Sequence, residues 1–236
     1  MNTEEFVAFF RYDMADTATP PMWTDDEIYR YLNDAQKLFC RRTGGLGDAS
    51  SSFTTLPVAI SVADADLDAS ILKIRDAYRV SDGRPIEILN YEDFNRLGLR
   101  FDGSSGPVAY LIIGMEPRKA KFYPIPNAED SVQLIVDRLP VEDITVDAAP
   151  QEFEVDQQHV EGLMYRVKEM AYLKQDAETF NKSKAEEFAM MFMRYCDDAR
   201  KEKDRAKHKT RVVKYGGIGT MYTSHGTKNN DYFNKY

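Results

Sequence analysis

Apolar residues recur at helical spacing at both ends of the chain and at strand-like spacing in its middle. Phe6, Val7, Phe9 and Phe10 predict a helix over Thr3–Asp13. Asn2 with Glu5 three residues on reads as a capping box, and Ala18-Thr19-Pro20-Pro21 stops the helix. The second helix has the clearest start. Thr24 fits the N-cap, Glu27 fits the third helical position, and Trp23 and Ile28 are spaced for a hydrophobic staple. Asp25 and Asp26 sit where the helix dipole favours anions. Ile28, Tyr31, Leu32, Ala35, Leu38 and Phe39 carry the apolar face. Arg41 and Arg42 occupy the last turn, and Gly44-Gly45 ends it.

From Ser51 to Pro140 the period shortens. Strands are predicted over Phe53–Val58, Ile71–Val80, Pro107–Ile113, Lys119–Pro124 and Ser131–Leu139. Ser81-Asp82-Gly83-Arg84-Pro85 is a turn sequence, and Tyr91–Leu97 predicts a short helix. Eight of the ten prolines fall in residues 51–150, where they punctuate strands. Helical spacing returns after Pro150. Val160, Leu163, Met164, Val167, Met170 and Ala171 mark a helix from Asp156 to about Gln175. Phe180, Phe188, Phe192, Tyr195, Cys196 and Ala199 mark another from Ala177 to about Arg205, with a break near Asn181–Ser183. From Lys209 to Tyr236 there is no period.

The expected fold is α+β: a bundle of about four helices with an inserted small antiparallel β domain and an extended C-terminal arm. Residues 1–50 hold the N-terminal helices and 51–150 the β insertion. Residues 151–208 hold a C-terminal helical hairpin, and 209–236 the arm.

Composition sharpens this. A chain of 236 residues with 43% hydrophobic and 30% charged residues is long enough to bury a core. Its 14 Tyr, 13 Phe and 10 Met suggest aromatics used at contacts. Cys40 and Cys196 lie far apart in helical patterns and read as buried free thiols. No stretch approaches the roughly 20 apolar residues of a membrane span. The acidic N-terminus lacks the basic region of a secretory signal. These features place the protein in the cytoplasm, or in something assembled there.

The net charge of −8 is unevenly placed. Residues 199–236 carry ten Lys/Arg against three Asp/Glu, a net +7, and residues 1–198 carry 21 against 36, a net −15. An acidic body repels nucleic acid, and a basic tail attracts an anionic partner.

Catalytic and metal motifs are weak. Gly44-Gly45-Leu46-Gly47 has no Lys-Ser/Thr after it and is a helix stop rather than a phosphate loop. Asp64, Asp66 and Asp68 begin like a calcium loop, but Ala69 and Arg75 stand where glycine and glutamate are required, so the stretch reads as a polar turn. Gly103-Ser104-Ser105-Gly106 lacks nucleophile-elbow spacing. His159, His208 and His225 stand apart, and Asn181-Lys182-Ser183 is a glycosylation sequon without a secretory context. No metal or cofactor is expected.

The informative segment is the end of the last helix. Residues up to Asp204 read as a solvated, highly charged helix end. From Arg205 to Lys214 acids vanish while Arg205, Lys207, Lys209, Arg211 and Lys214 remain. Val212, Val213, Tyr215, Gly216, Gly217, Ile218 and, further on, Tyr222 add a β-prone piece with flexible joints. Such a segment suits ordering on a partner.

Several stretches together resemble a known family. Phe10-Arg11-Tyr12-Asp13 with Asp16, Pro20 to Ile28, Tyr31-Leu32-Asn33-Asp34-Ala35, Met170 to Thr179 and Val213-Lys214-Tyr215-Gly216-Gly217 resemble tailed-bacteriophage head-to-tail adaptor (connector, or neck) proteins. The resemblance implies a structural virion protein with a helical-bundle body. It implies a homo-oligomeric ring, usually a dodecamer, beneath the portal of the filled capsid. C-terminal arms would dock on the portal protein, and the lower face would receive tail or nozzle proteins. Packaged DNA would pass through the channel without sequence-specific binding, and the ring would help retain the genome. The resemblance implies no cofactor, no reaction and no membrane partner. The residues expected to dock are Arg205, Lys207, Lys209, Arg211, Val212, Val213, Lys214, Tyr215, Gly216, Gly217, Ile218 and Tyr222. Trp23, Thr24, Glu27 and Ile28 are expected to be a structural helix cap.

Two other classes stay open from the residues alone. The basic tail also suits a nucleic-acid-binding module. An enzyme would have to use Asp64, Asp66 and Asp68, or Glu92 and Asp93, none of which has spacing that fixes a shared site.

Overall fold

A computed structural model describes residues 1–101, 103–146, 150–176 and 179–207. The chain separates into two units, the first being Met1–Lys203 and the second beginning at Asp204.

Five α-helices appear among the described residues: α1 (Thr3–Asp13), α2 (Asp25–Thr43), α3 (Tyr91–Arg96), α4 (Val160–Tyr172) and α5 (Lys182–Lys207). Both predicted capping boxes are present. The Asn2 side chain accepts from Glu5 N–H and Thr24 from Glu27 N–H, while each glutamate reaches back to its cap. Gly44 ends α2 in the left-handed conformation. Asn181, the sequon asparagine, caps α5 by accepting from Lys184 N–H at 3.1 Å.

The described residues also form ten strands: β1 (Leu46–Asp48), β2 (Thr55–Val58), β3 (Asp64–Asp66), β4 (Ile71–Arg79), β5 (Pro85–Asn90), β6 (Ser105–Gly106), β7 (Tyr110–Ile113), β8 (Lys119–Tyr123), β9 (Ile125–Pro126) and β10 (Asp130–Arg138). The main sheet has the order β1-β10-β4-β5-β7-β8-β3, and β2 also pairs with β10. Its two ends curl towards each other through β2 and β3, which are neighbours in the chain. In β10, Val132, Leu134 and Val136 alternate inward and are fully buried.

Several expectations need correction. β6 and β9 form a separate two-stranded parallel sheet, and the main sheet is mixed rather than antiparallel, because β5 and β7 run parallel. The reason is the crossover through α3, which returns the chain in the same direction. Asp64–Asp66 is strand β3 rather than a turn. Lys121 on the facing strand β8 meets Asp64 at 2.9 Å, so the acidic residue is satisfied there. Phe9 and Phe180 are 58% and 53% exposed rather than part of an apolar face.

Two principal cores result. Phe6 and Phe10 of α1, Leu32 and Phe39 of α2, Leu163 of α4 and Phe192 of α5 belong to one cluster. The other lies on the sheet, around Leu111, Phe122 and Leu134. A small satellite under α3 joins Leu89, Phe94, Ile112 and Tyr123. Cys40 and Cys196 are both free and buried in the helical cluster.

Candidate functional site

Some of the residues that carry the family resemblance, Arg11, Asp16, Trp23, Asp25, Glu27 and Lys174, form a clamp at one end of the helices. Arg11 on α1 donates to Asp16 at 2.7 Å, to the Trp23 carbonyl at 3.0 Å and to Asp25 at 2.6 Å. Asp16, whose side chain is wholly buried, also accepts from Met22 N–H at 2.8 Å. One guanidinium therefore gathers the loop from α1 to α2 and the start of α2. Lys174, just past α4, closes the other side by donating to the Met22 carbonyl at 2.8 Å and to Glu27 at 3.0 Å. The Trp23 indole adds a bond to the Ala171 carbonyl at 3.2 Å and stands edge-on to Phe10, with ring centroids 5.6 Å apart. Burial pushes the Glu27 carboxyl up, but the Thr24 N–H and Lys174 outweigh it and hold the group below its ordinary value.

A second charged seam lies where α5 approaches the end of the first unit. Lys203 on α5 donates to the carbonyls of Gly44, at 3.2 Å, and Gly45, and lies 3.8 Å from Asp137 on β10. Asp137 is also gripped by Arg75 on β4, through Nε at 2.8 Å and through Nη2. Next to it, Arg138 bonds Asp48 on β1 at 2.5 Å and Glu154. Glu154 in turn accepts from the N–H groups of Val141 and Glu142. Burial works against the Asp48 charge, but Ser51, the Ser50 N–H and Arg138 hold its carboxyl well below the usual range. Lys203 thus departs from the expectation of a solvated helix end: its role depends on Gly45 and Asp137, which are distant in sequence.

The expected docking residues fall as follows. Arg205 is exposed on the last turn of α5, and Lys207 is that helix's last residue. Lys209, Arg211, Val212, Val213, Lys214, Tyr215, Gly216, Gly217, Ile218 and Tyr222 lie outside the described residues. His208 and His225 do as well.

The candidate acids are dispersed. Asp68 accepts from Ser70, Asp93 pairs with Arg96, and Glu92 sits beside it on α3. Among the described residues no group of three or more His, Cys, Asp or Glu is placed to hold a metal, and no helix is long and apolar enough to cross a membrane. His159 touches Tyr195 Oη at 3.2 Å and lies against Phe39; burial lowers its pKa. These geometries brace helices and strands, and the two seams consist of mutually satisfied ion pairs.

The family model for the SU10 adaptor protein matches residues 1–214. The chain belongs to the SU10 adaptor protein family. Its coarse role is accordingly that of a phage adaptor, a structural component of the virion. The match includes both charged seams and runs through the basic stretch as far as Lys214, whereas Tyr215, Gly216, Gly217, Ile218 and Tyr222 lie beyond it. No curated protein matches the chain.

Proposed function

We propose that this chain is a head-to-tail adaptor whose copies form a ring, expected to be a dodecamer, between portal and tail. The observation that carries this reading is the family match over residues 1–214. In this reading the helices that share the core of Phe6, Leu32, Leu163 and Phe192 form the bundle body of each subunit. The ring continues the DNA channel in the virion neck and helps retain the genome. The acidic body keeps passing DNA from sticking, since like charges repel along the wall. The arm, from Arg205 through the basic and β-prone residues to Tyr222, docks on the portal protein. The split between the −15 body and the +7 terminal segment supports a division of labour.

Truncation after Asp204 tests the docking role. The truncated body should melt at the temperature of the full chain and lose binding to purified portal rings. Portal binding equal to that of the full chain would overturn the role of the arm. Duplex DNA binding that falls steeply with salt would instead favour the nucleic-acid-binding module.

A further inference from the structure

Both ends of the segment that links β10 to α4 are pinned to helices. On α2, Asn33 accepts from Ile144 N–H and donates to the Ile144 carbonyl, both at 2.9 Å, and Lys37 bonds Asp143 at 2.6 Å. At the start of α1, Thr3 N–H bonds the Gln151 carbonyl at 3.1 Å, and Gln151 N–H bonds Thr3 Oγ1 at 3.2 Å. Between these pins lies a cavity of about 30 Å³, lined by Gln36, Glu142, Ile144, Gln151, Glu152 and Glu154. That is about the space of one water molecule.

The lining collects oxygens that nothing satisfies. Gln36 on α2 is 2% exposed, and among the described residues its Oε1 has no hydrogen-bond partner. The same holds for the buried Oε1 of Gln151. Each orphan acceptor costs free energy that an occupant of the cavity recovers. The carboxylates divide into two kinds. Glu154 is already held by Arg138 and by the N–H groups of Val141 and Glu142. Among the described residues, Glu142 and Glu152 have no ion-pair partner. A single water satisfies both amides by donating to each, yet it leaves those two charges without a countercharge.

We infer that this cavity binds one hard divalent cation of the calcium class, with the Gln36 and Gln151 amide oxygens as its innermost ligands and Glu142 and Glu152 as its countercharge. Amide and carboxylate oxygens suit calcium rather than zinc or copper, and magnesium holds its waters too firmly for so small a space. Among the described residues no three His, Cys, Asp or Glu converge on a metal position, so the buried amides define the site. It departs from the expectation of a metal-free chain because Gln36 and Glu142 are too far apart in sequence to show as a motif. The bound ion links α2 to both ends of the segment between β10 and α4. The site lies within one chain and does not rest on the ring reading.

The test uses the full chain, stripped of divalent ions with EGTA and then titrated with calcium chloride alone, against sodium chloride at equal ionic strength. Calorimetry should count one calcium per chain. The melting temperature should rise by about 3–5 °C for each tenfold of calcium above Kd, and sodium chloride should not reproduce the rise. Glu152→Gln, at an exposed position, should keep the metal-free melting temperature and weaken calcium binding at least tenfold. Gln36→Leu should abolish the calcium-dependent rise. By removing an unpaired buried acceptor it should leave the metal-free protein at least as stable as the parent. No calcium-dependent rise in the parent chain would overturn the inference and leave water as the occupant. A rise that Glu152→Gln leaves undiminished would put the ion elsewhere and overturn it as well.

Discussion

The ring of Tyr195 occupies the place where a side chain on Gly162 would have to sit. A Cβ on Gly162 would lie 2.2 Å from Tyr195 Cε1 and 2.3 Å from Cδ1. Helices α4 and α5 meet at this point with no atom to spare. Tyr195 in turn donates to the Gln158 carbonyl at 3.0 Å, which fixes the entry to α4.

Gly162→Ala should therefore destabilise the body despite alanine's better helix propensity, by about 1–3 kcal/mol, the usual cost of overpacking. Urea unfolding of the variant checks this. Adding Tyr195→Ala should recover part of the loss, because the added methyl then has space, and the double-mutant cycle should give a non-zero coupling.

Trp23 should be a large single contributor to the stability of the helical core. Trp23→Ala should cost about 3–5 kcal/mol from lost packing. Trp23→Phe should cost less, about 1–3 kcal/mol, by leaving the Ala171 carbonyl without its indole partner. Thermal melts of both variants against the parent set the order, and a Phe variant as unstable as the Ala variant would contradict it.

Stability should fall on acidification, and Asp48 should be one of the groups responsible. Its folded carboxyl is held below the unfolded value of about 3.9. A depressed carboxylate stabilises the fold fully above the unfolded value, and that contribution is lost as pH falls through the folded value. Glu27 acts in the same direction from a smaller depression. Denaturant melts from pH 6 down to pH 2 should show the decline, and Asp48→Asn should flatten it while lowering stability at pH 6.

Local signals were legible in the sequence and distant ones were not. Thr24 with Glu27 and Asn2 with Glu5 announce helix starts, because a cap is made by residues three apart. The alternation of Val132, Leu134 and Val136 likewise announces β10, the strand on which β1, β2 and β4 all pair. Short strands carry too few residues to show a period: β1 contains Gly47, and β3 is Asp-Ala-Asp. The parallel pairing of β5 with β7 depends on a crossover that no local pattern encodes. The seams were invisible for the same reason. Arg11, Asp16 and Trp23 could be quoted as a family motif, yet their meeting at one guanidinium needs the loop's path. Lys203 looked like any cation at a helix end until Gly45 and Asp137 were placed beside it.

Lys203 has a mechanical consequence. A tether that transmits tension fails first where its root can peel away from the wall. Here the last residue of the first unit is bolted to the bend after α2 and stands beside an aspartate on β10, the strand that pairs with β1, β2 and β4. A pull on the C-terminal end of α5 would thereby be shared with the end of α2 and with β10 instead of falling on that helix alone.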